Sequence, residues 1–96
     1  MKFSIVIPNW NGRKFIGMCL DSITHSTFKD YEVIVVDNGS TDGSKELVAE
    51  KYPWVRHIKL PANMGFAIAC NEGIKVARSD YICLLNNDIE VDPNWI

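Results

Sequence analysis

Three stretches of this chain run from an apolar, β-rich segment straight into amides and carboxylates, and those junctions concentrate the side chains best equipped for chemistry. The last of them, from Tyr81 to Asp88, ends in Asn86-Asn87-Asp88, a D-x-D-like motif with amides in place of the leading carboxylate. Oxygen donors of this kind suit Mg or Mn, which are often held by one or two carboxylates together with substrate phosphates. Asp88 is therefore the candidate metal ligand, and an ordinary polar turn is the competing reading. The first junction places Pro8, Asn9 and Trp10 before Asn11-Gly12. Amides can read the edge of a base and an indole can stack on it, while a plain turn followed by a core Trp explains the same residues without a ligand.

The middle junction, Asp37-Asn38-Gly39-Ser40-Thr41-Asp42-Gly43-Ser44, combines glycines and hydroxyls with a leading carboxylate. That composition suits a ribose or a base imide held through Asp37. It lacks the P-loop lysine and the G-x-G-x-x-G pattern, which argues against an NTPase and a dinucleotide dehydrogenase. Ser40 and Asp42 also suit a capped helix start, whereas Asp37 precedes the cap. A fourth segment, Asn63 to Gly73, sets Gly65 where a loop meets a helix and the backbone can approach a ligand closely. Asn71 follows about two turns later, where it either ties the helix to a strand end or meets a ligand.

These residues need a scaffold, and the pattern supplies one. Near-continuous aliphatic runs predict strands at Phe3–Pro8, Tyr31–Val36 and Tyr81–Leu85, buried on both faces as in a parallel sheet, with a further strand at Val55–Leu60. Phe15, Cys19 and Ile23 recur with Ile16 and Leu20 at helical spacing, so a helix is expected from Arg13 to His25. A second helix should open near Ser40, with Asp42 in its first turn, and stop before Tyr52-Pro53. The third should carry Phe66, Cys70, Ile74 and Ala77 on one side and end near Ser79-Asp80. This alternation predicts an α/β fold, a Rossmann-like, doubly wound, mostly parallel sheet in three α/β/α layers. Such sheets bind ligands outside the carboxyl ends of their strands.

With 96 residues, 47% hydrophobic, and a formal charge of -2, the chain fits one globular domain and gives no basic excess to recommend a nucleic-acid partner. No stretch approaches the ~20 apolar residues of a membrane span, and the amino terminus reads as a strand rather than a signal peptide. Cys19, Cys70 and Cys83 are odd in number, lack C-x-x-C spacing and sit in apolar segments, which favours reduced core thiols and the cytoplasm. His25 and His57 have no metal spacing and read as surface or helix-end residues. Trp95 and Ile96 are apolar with nothing after them, which points to a longer natural polypeptide or an oligomeric contact.

Taken in order, S-I-V-I-P-N-W-N-G at Ser4 to Gly12, V-V-D-N-G-S-T-D-G-S at Val35 to Ser44, N-M-G-F-A with a following N-E-G at Asn63 to Gly73, and L-L-N-N-D at Leu84 to Asp88 resemble the nucleotide-sugar-binding half of family 2 glycosyltransferases. These are inverting enzymes with a GT-A fold. The resemblance implies that Pro8 and Trp10 flank the nucleobase, Asp37 hydrogen-bonds the base or ribose, Asn87 sits by the ribose or diphosphate, and Asp88 binds a divalent metal, Mg or Mn. N-N-D resembles the rhamnosyltransferase-like branch, implying a UDP- or dTDP-sugar donor and a weaker metal grip than D-x-D gives. Ile68-Ala69-Cys70 departs from the small residues common there and either narrows the donor space or fills the core.

The candidate donor contacts are thus Pro8, Asn9, Trp10, Asp37, Asn38, Asn63, Gly65, Asn71 and Asn87, with Asp88 for the metal and no catalytic residue assigned. Residues 1–96 are expected to form a single nucleotide-sugar-binding domain, truncated relative to a full glycosyltransferase whose acceptor is a saccharide or lipid-linked, met at the inner face of the membrane. The base that deprotonates the acceptor matches nothing here, and Glu90 and Asp92 read as a solvated turn. A non-catalytic nucleotide-sugar-binding module is the alternative. A nucleotidyltransferase is disfavoured, because the chain opens with P-N-W-N-G rather than a Gly- and Arg/Lys-rich loop.

Overall fold

β1 (Phe3–Asn9), α1 (Ile16–Thr24), β2 (Tyr31–Asp37), α2 (Ser44–Lys51), β3 (Arg56–Lys59), α3 (Phe66–Val76) and β4 (Tyr81–Leu84) alternate along the chain in a computed structural model that describes residues 2–95. All four strands are parallel, in the order β3-β2-β1-β4. The chain steps outward from β1 through β2 to β3, and α3 then carries it back to the far side of β1. Winding therefore reverses between β1 and β4, which opens a crevice at their carboxyl ends.

Strand alternation assigns the two faces. Ile5, Ile7, Val33 and Val35 pack with Ile16, Cys19, Leu20 and Ile23 of α1 and with Val48 of α2. Val6, Ile34 and Val36 meet Ala69 of α3 on the opposite face. The result is the three-layer α/β/α arrangement expected from the sequence. Tyr52, just past α2, donates from its hydroxyl to Asp21 Oδ1 at 2.8 Å, joining the two helices of one layer. Burial and the neighbouring Asp21 carboxylate push that phenol up to about 12.

Several element ends differ from expectation, each for a local reason. α1 starts at Ile16 because residues 13–15 form a turn closed by the Phe15 and Ile16 amides on Gly12 O, which leaves Phe15 exposed. α2 starts at Ser44, since the Ser40 amide is spent on Asp37 Oδ2 and Asp42 receives the Ser44 amide from outside the helix. α3 ends at Val76, with Ala77 already extended. Burial of β4 on both faces is not observed: α3 lies over β1 and β2, and Tyr81, Ile82 and Leu84 on the edge strand are exposed. Trp95, expected to lack a partner, packs against the first core cluster; Ile96 lies outside the described residues.

The amino end of the sheet is closed by Glu32. Its Oε2 accepts from Ser4 Oγ at 2.6 Å and the Arg78 amide at 2.7 Å, and its Oε1 accepts from Arg56 at 2.8 Å. Burial alone would raise this carboxyl, but the Ser4, Arg78 and Arg56 hydrogen bonds and the Arg56 charge outweigh it and hold it below the usual range. His57 is not a surface residue. It sits on β3 with both ring nitrogens buried and unpartnered among the described residues, and burial holds its imidazole below the ordinary value. His25, by contrast, is exposed at the end of α1. The three cysteines are free, with Cys19 and Cys70 buried.

Candidate functional site

A cleft of about 330 Å³ opens at the carboxyl ends of the strands, lined by Pro8, Asn9 and Trp10 after β1, Asn38 after β2, Asn63 and Phe66 at the start of α3, and Asn86, Asn87 and Asp88 after β4. Its position is the winding reversal. The polar wall is built from the sheet register. Asn9 and Asp37 are ladder partners, so their side chains emerge side by side on the same face as Ile7 and Val35. Asn9 Nδ2 donates to Asp37 Oδ1 at 3.2 Å and to Ser44 Oγ at 3.0 Å, while Asn9 Oδ1 accepts from Asn87 Nδ2 at 2.8 Å. Three strand ends are thereby joined through one buried amide. Gly12 makes room for this pair, since a Cβ there would lie 2.1 Å from Asn87 Nδ2 and 2.4 Å from Asn9 Oδ1.

The opposite wall hangs on Asn38. Its Nδ2 donates to Asn63 Oδ1 at 3.0 Å and to Gly65 O at 3.3 Å, and its Oδ1 accepts the Met64 amide at 2.9 Å. The loop before α3 is thus fixed to the end of β2. Gly65 holds φ +92, a conformation that favours glycine, with nothing within 4 Å of where a Cβ would be.

The expected site residues divide in two. Pro8, Asn9, Trp10, Asn38, Asn63, Asn87 and Asp88 line the cleft, whereas Asp37, Gly65 and Asn71 do not. Asp37 was expected to contact a base or ribose, yet it has no exposed surface and both carboxylate oxygens accept internal hydrogen bonds. The alternation of β2 turns it into the sheet wall and leaves the next residue, Asn38, facing the cleft. Asn71 is exposed further along α3 and, among the described residues, ties no strand end. Ala69 and Cys70 fill the core and Ile68 is exposed, so that segment does not narrow the cleft.

Trp10 corrects the core reading: it is 53% exposed and forms part of the cleft. Phe66, placed by helical spacing on one side of α3 with Cys70, Ile74 and Ala77, is 60% exposed there as well. The available signal was its place immediately after Gly65, where α3 begins at the cleft. Glu90 lies elsewhere, in a groove with Ser22 and His25.

Asp88 is exposed, and its carboxylate makes no hydrogen bond or ion pair among the described residues. Its charge is nevertheless felt behind the loop. Burial, reinforced by Asp88, pushes the Cys19 thiol up to about 11, and Cys19 Sγ contacts Asn86 O at 3.8 Å. No group of three His, Cys, Asp or Glu side chains capable of holding a metal occurs among the described residues. One free carboxylate beside the amide oxygens of Asn86 and Asn87 fits a hard cation that takes its remaining ligands from a bound diphosphate and water. With two exposed aromatics for a base and amides for its edge or a ribose, the cleft has the chemistry of a nucleotide site.

The fold is that of the GT-A glycosyltransferases. It matches Staphylococcus aureus TarS 1–349, solved with UDP, at a TM-score of 0.88 and 27% identity, covering 98% of this chain and 29% of that one. The mannosyltransferase PcManGT of Pyrobaculum calidifontis, solved with GDP-Man and Mn2+, matches at a TM-score of 0.83 and 26% identity, covering 91% and 27%.

In sequence the chain belongs to glycosyl transferase family 2, whose profile matches residues 4–96. The uncharacterised glycosyltransferase YibD of Escherichia coli K12 is 38% identical over 95 residues, 96% of this chain and 27% of YibD. A poly(ribitol-phosphate) beta-glucosyltransferase of Bacillus spizizenii is 40% identical, over 92% of this chain and 15% of the relative. An E. coli chondroitin synthase is 36% identical, over 97% and 14%. The chain therefore spans about a quarter or less of these relatives.

Proposed function

We propose that the chain is the donor-binding part of an inverting glycosyltransferase and holds a pyrimidine nucleoside-diphosphate sugar, UDP- or dTDP-linked, with a divalent cation. The observation carrying this reading is the uncommitted Asp88 carboxylate at the rim of a cleft otherwise lined by amides, Pro8 and two exposed aromatics. Trp10 and Phe66 offer faces for the base, Asn38 and Asn63 shape the wall beside them, and Asn87 and Asp88 meet the ribose and diphosphate. A cation held by Asp88, Mg or Mn, would offset the charge that builds on the departing diphosphate. Manganese in the PcManGT structure and UDP in that of TarS support this assignment.

Asp88 is the one titratable side chain in the cleft lining, so deprotonation of the acceptor falls to a residue outside this cleft. A saccharide acceptor is supported by relatives that carry poly(ribitol-phosphate) and chondroitin in their names. The N-N-D motif supports rhamnose as the sugar, and the free cysteines support a reducing compartment, the cytoplasm. Calorimetric titration of the chain with UDP, dTDP and GDP, each with Mn2+ and with chelator, tests the reading. Selective, cation-enhanced binding of a pyrimidine nucleotide is expected, and a folded chain that binds none of them overturns it.

A further inference from the structure

The hydrogen bonds behind the cleft form a chain with a direction. We propose that Asp37 acts through Asn9 as a positioning residue that decides which end of the Asn87 amide the cleft receives. This deepens the donor-site reading and rests on it for its consequence, though not for its thermal test. A primary amide is a donor at one end and an acceptor at the other, whereas an ionised carboxylate only accepts. Asp37 is fully buried; its Oδ2 takes the Ser40 amide at 2.9 Å and its Oδ1 takes Asn9 Nδ2 at 3.2 Å. Asn9, also fully buried, must therefore turn its NH2 toward β2 and its oxygen toward β4. Reversed, it would set oxygen against carboxylate with no water between them.

The next link follows from the first. Asn9 Oδ1 can only accept, and it takes Asn87 Nδ2 at 2.8 Å. Asn87 spends its donor end inward, which leaves Oδ1 as the end available to the cleft it lines, beside Asp88. The missing side chain at Gly12 leaves space for this pair and for little else. The buried charge on β2 is thus converted, across two amides, into an oxygen lone pair where a cation or a ribose hydroxyl would seek one.

The same relay accounts for an amide rather than a carboxylate at position 87. A carboxylate there would face Asn9 Oδ1, acceptor against acceptor. The middle residue of N-N-D is thus matched to Asp37 and Asn9.

A double-mutant cycle between positions 37 and 87 tests this, because those two residues share no hydrogen bond among the described residues and are linked through Asn9. Asn87→Asp alone should lower the thermal midpoint by about 5 °C or more by setting a half-buried carboxylate against the fully buried Asn9 Oδ1. Asp37→Asn alone frees Asn9 to turn over, so the cleft receives the NH2 of Asn87, and Mn2+ affinity in the presence of UDP should fall roughly tenfold. Combined, the substitutions let the relay run in reverse: the new amide donates to Asn9 Oδ1, and Asn9 Nδ2 donates to the new carboxylate. The double variant should recover stability well beyond the sum of its parents, and additive losses would overturn the relay. The thermal cycle needs no nucleotide, so it stands even if the donor reading fails. Should Asp37→Asn not fold, the native chain decides by side-chain amide exchange. The Asn87 NH2 should exchange roughly tenfold more slowly than that of exposed Asn71, and equal rates would refute the proposal.

Discussion

Glu32 on β2 holds Arg56 on β3 at 2.8 Å, at the end of the sheet opposite the cleft. The pair secures the fold without touching the site, which makes it a way to separate stability from binding. Glu32 is almost completely buried and also satisfies Ser4 Oγ and the Arg78 amide. Glu32→Gln keeps the shape but removes the charge and forces one donor against another. A loss of about 2–4 kcal/mol is expected in urea denaturation, a large part of the ~5–15 kcal/mol available to a domain. Nucleotide affinity of the folded fraction should not change.

Acid should weaken the fold in two stages. His57 is held below its ordinary value of 6.5 by burial, so the unfolded chain takes up a proton that the native chain refuses. Stability is then complete above 6.5 and declines as the pH falls from there toward the lower native value. Glu32 and Asp42, both held below their ordinary values of 4.5 and 3.8, add a second decline below those values, where the unfolded carboxyls protonate first. His57→Leu should flatten the first stage, leave the second, and raise stability near pH 6 by removing two unpartnered buried nitrogens. Thermal midpoints between about pH 2 and pH 8 measure both stages.

How far the sequence revealed this arrangement can be judged at particular residues. Aliphatic runs located β1, β2 and β4, with β3 expected as a further strand, and the alternation of strands with helical periods implied the parallel three-layer sheet. They stopped at Pro8 and Val36, because Asn9 and Asp37 are polar and belong to strands only through their pairing with each other. That pairing is a long-range contact, invisible to local pattern. It also settles which of two adjacent polar residues, Asp37 or Asn38, faces the cleft. Trp10 was drawn toward the core by residue type and Phe66 was grouped with Cys70 by helical spacing, though a ligand site also uses apolar surface. β4 read as buried because its composition matches β1, and only the strand order makes it an edge.

Trp10 and Phe66 give a prediction that separates site from core. Both are more than half exposed, so Trp10→Ala and Phe66→Ala should each leave the thermal midpoint nearly unchanged. If either ring stacks on the base, its removal should cost about 1–3 kcal/mol of nucleotide binding, roughly 5- to 150-fold in Kd. Titration of each variant with UDP measures this, and quenching of Trp10 fluorescence on binding should disappear in Trp10→Ala. A variant that unfolds instead would return that side chain to the core.

Asp88→Asn tests the cation site, and three of its effects have definite signs. The carboxylate is exposed and has no hydrogen-bond or ion-pair partner among the described residues, so removing its charge should leave stability within about 0.5 kcal/mol of the native value. Without a cation, Asp88 repels a bound diphosphate, and Asp88→Asn should therefore bind UDP somewhat more tightly than the native chain in chelator. With Mn2+ the order reverses, because the variant has lost the one carboxylate that can share the ion with the diphosphate. The enhancement of UDP affinity by Mn2+, measured by titration with and without chelator, should be abolished in Asp88→Asn and intact in Glu32→Gln. If Mn2+ enhances binding equally in Asp88→Asn and the native chain, the ion is held somewhere other than the end of β4.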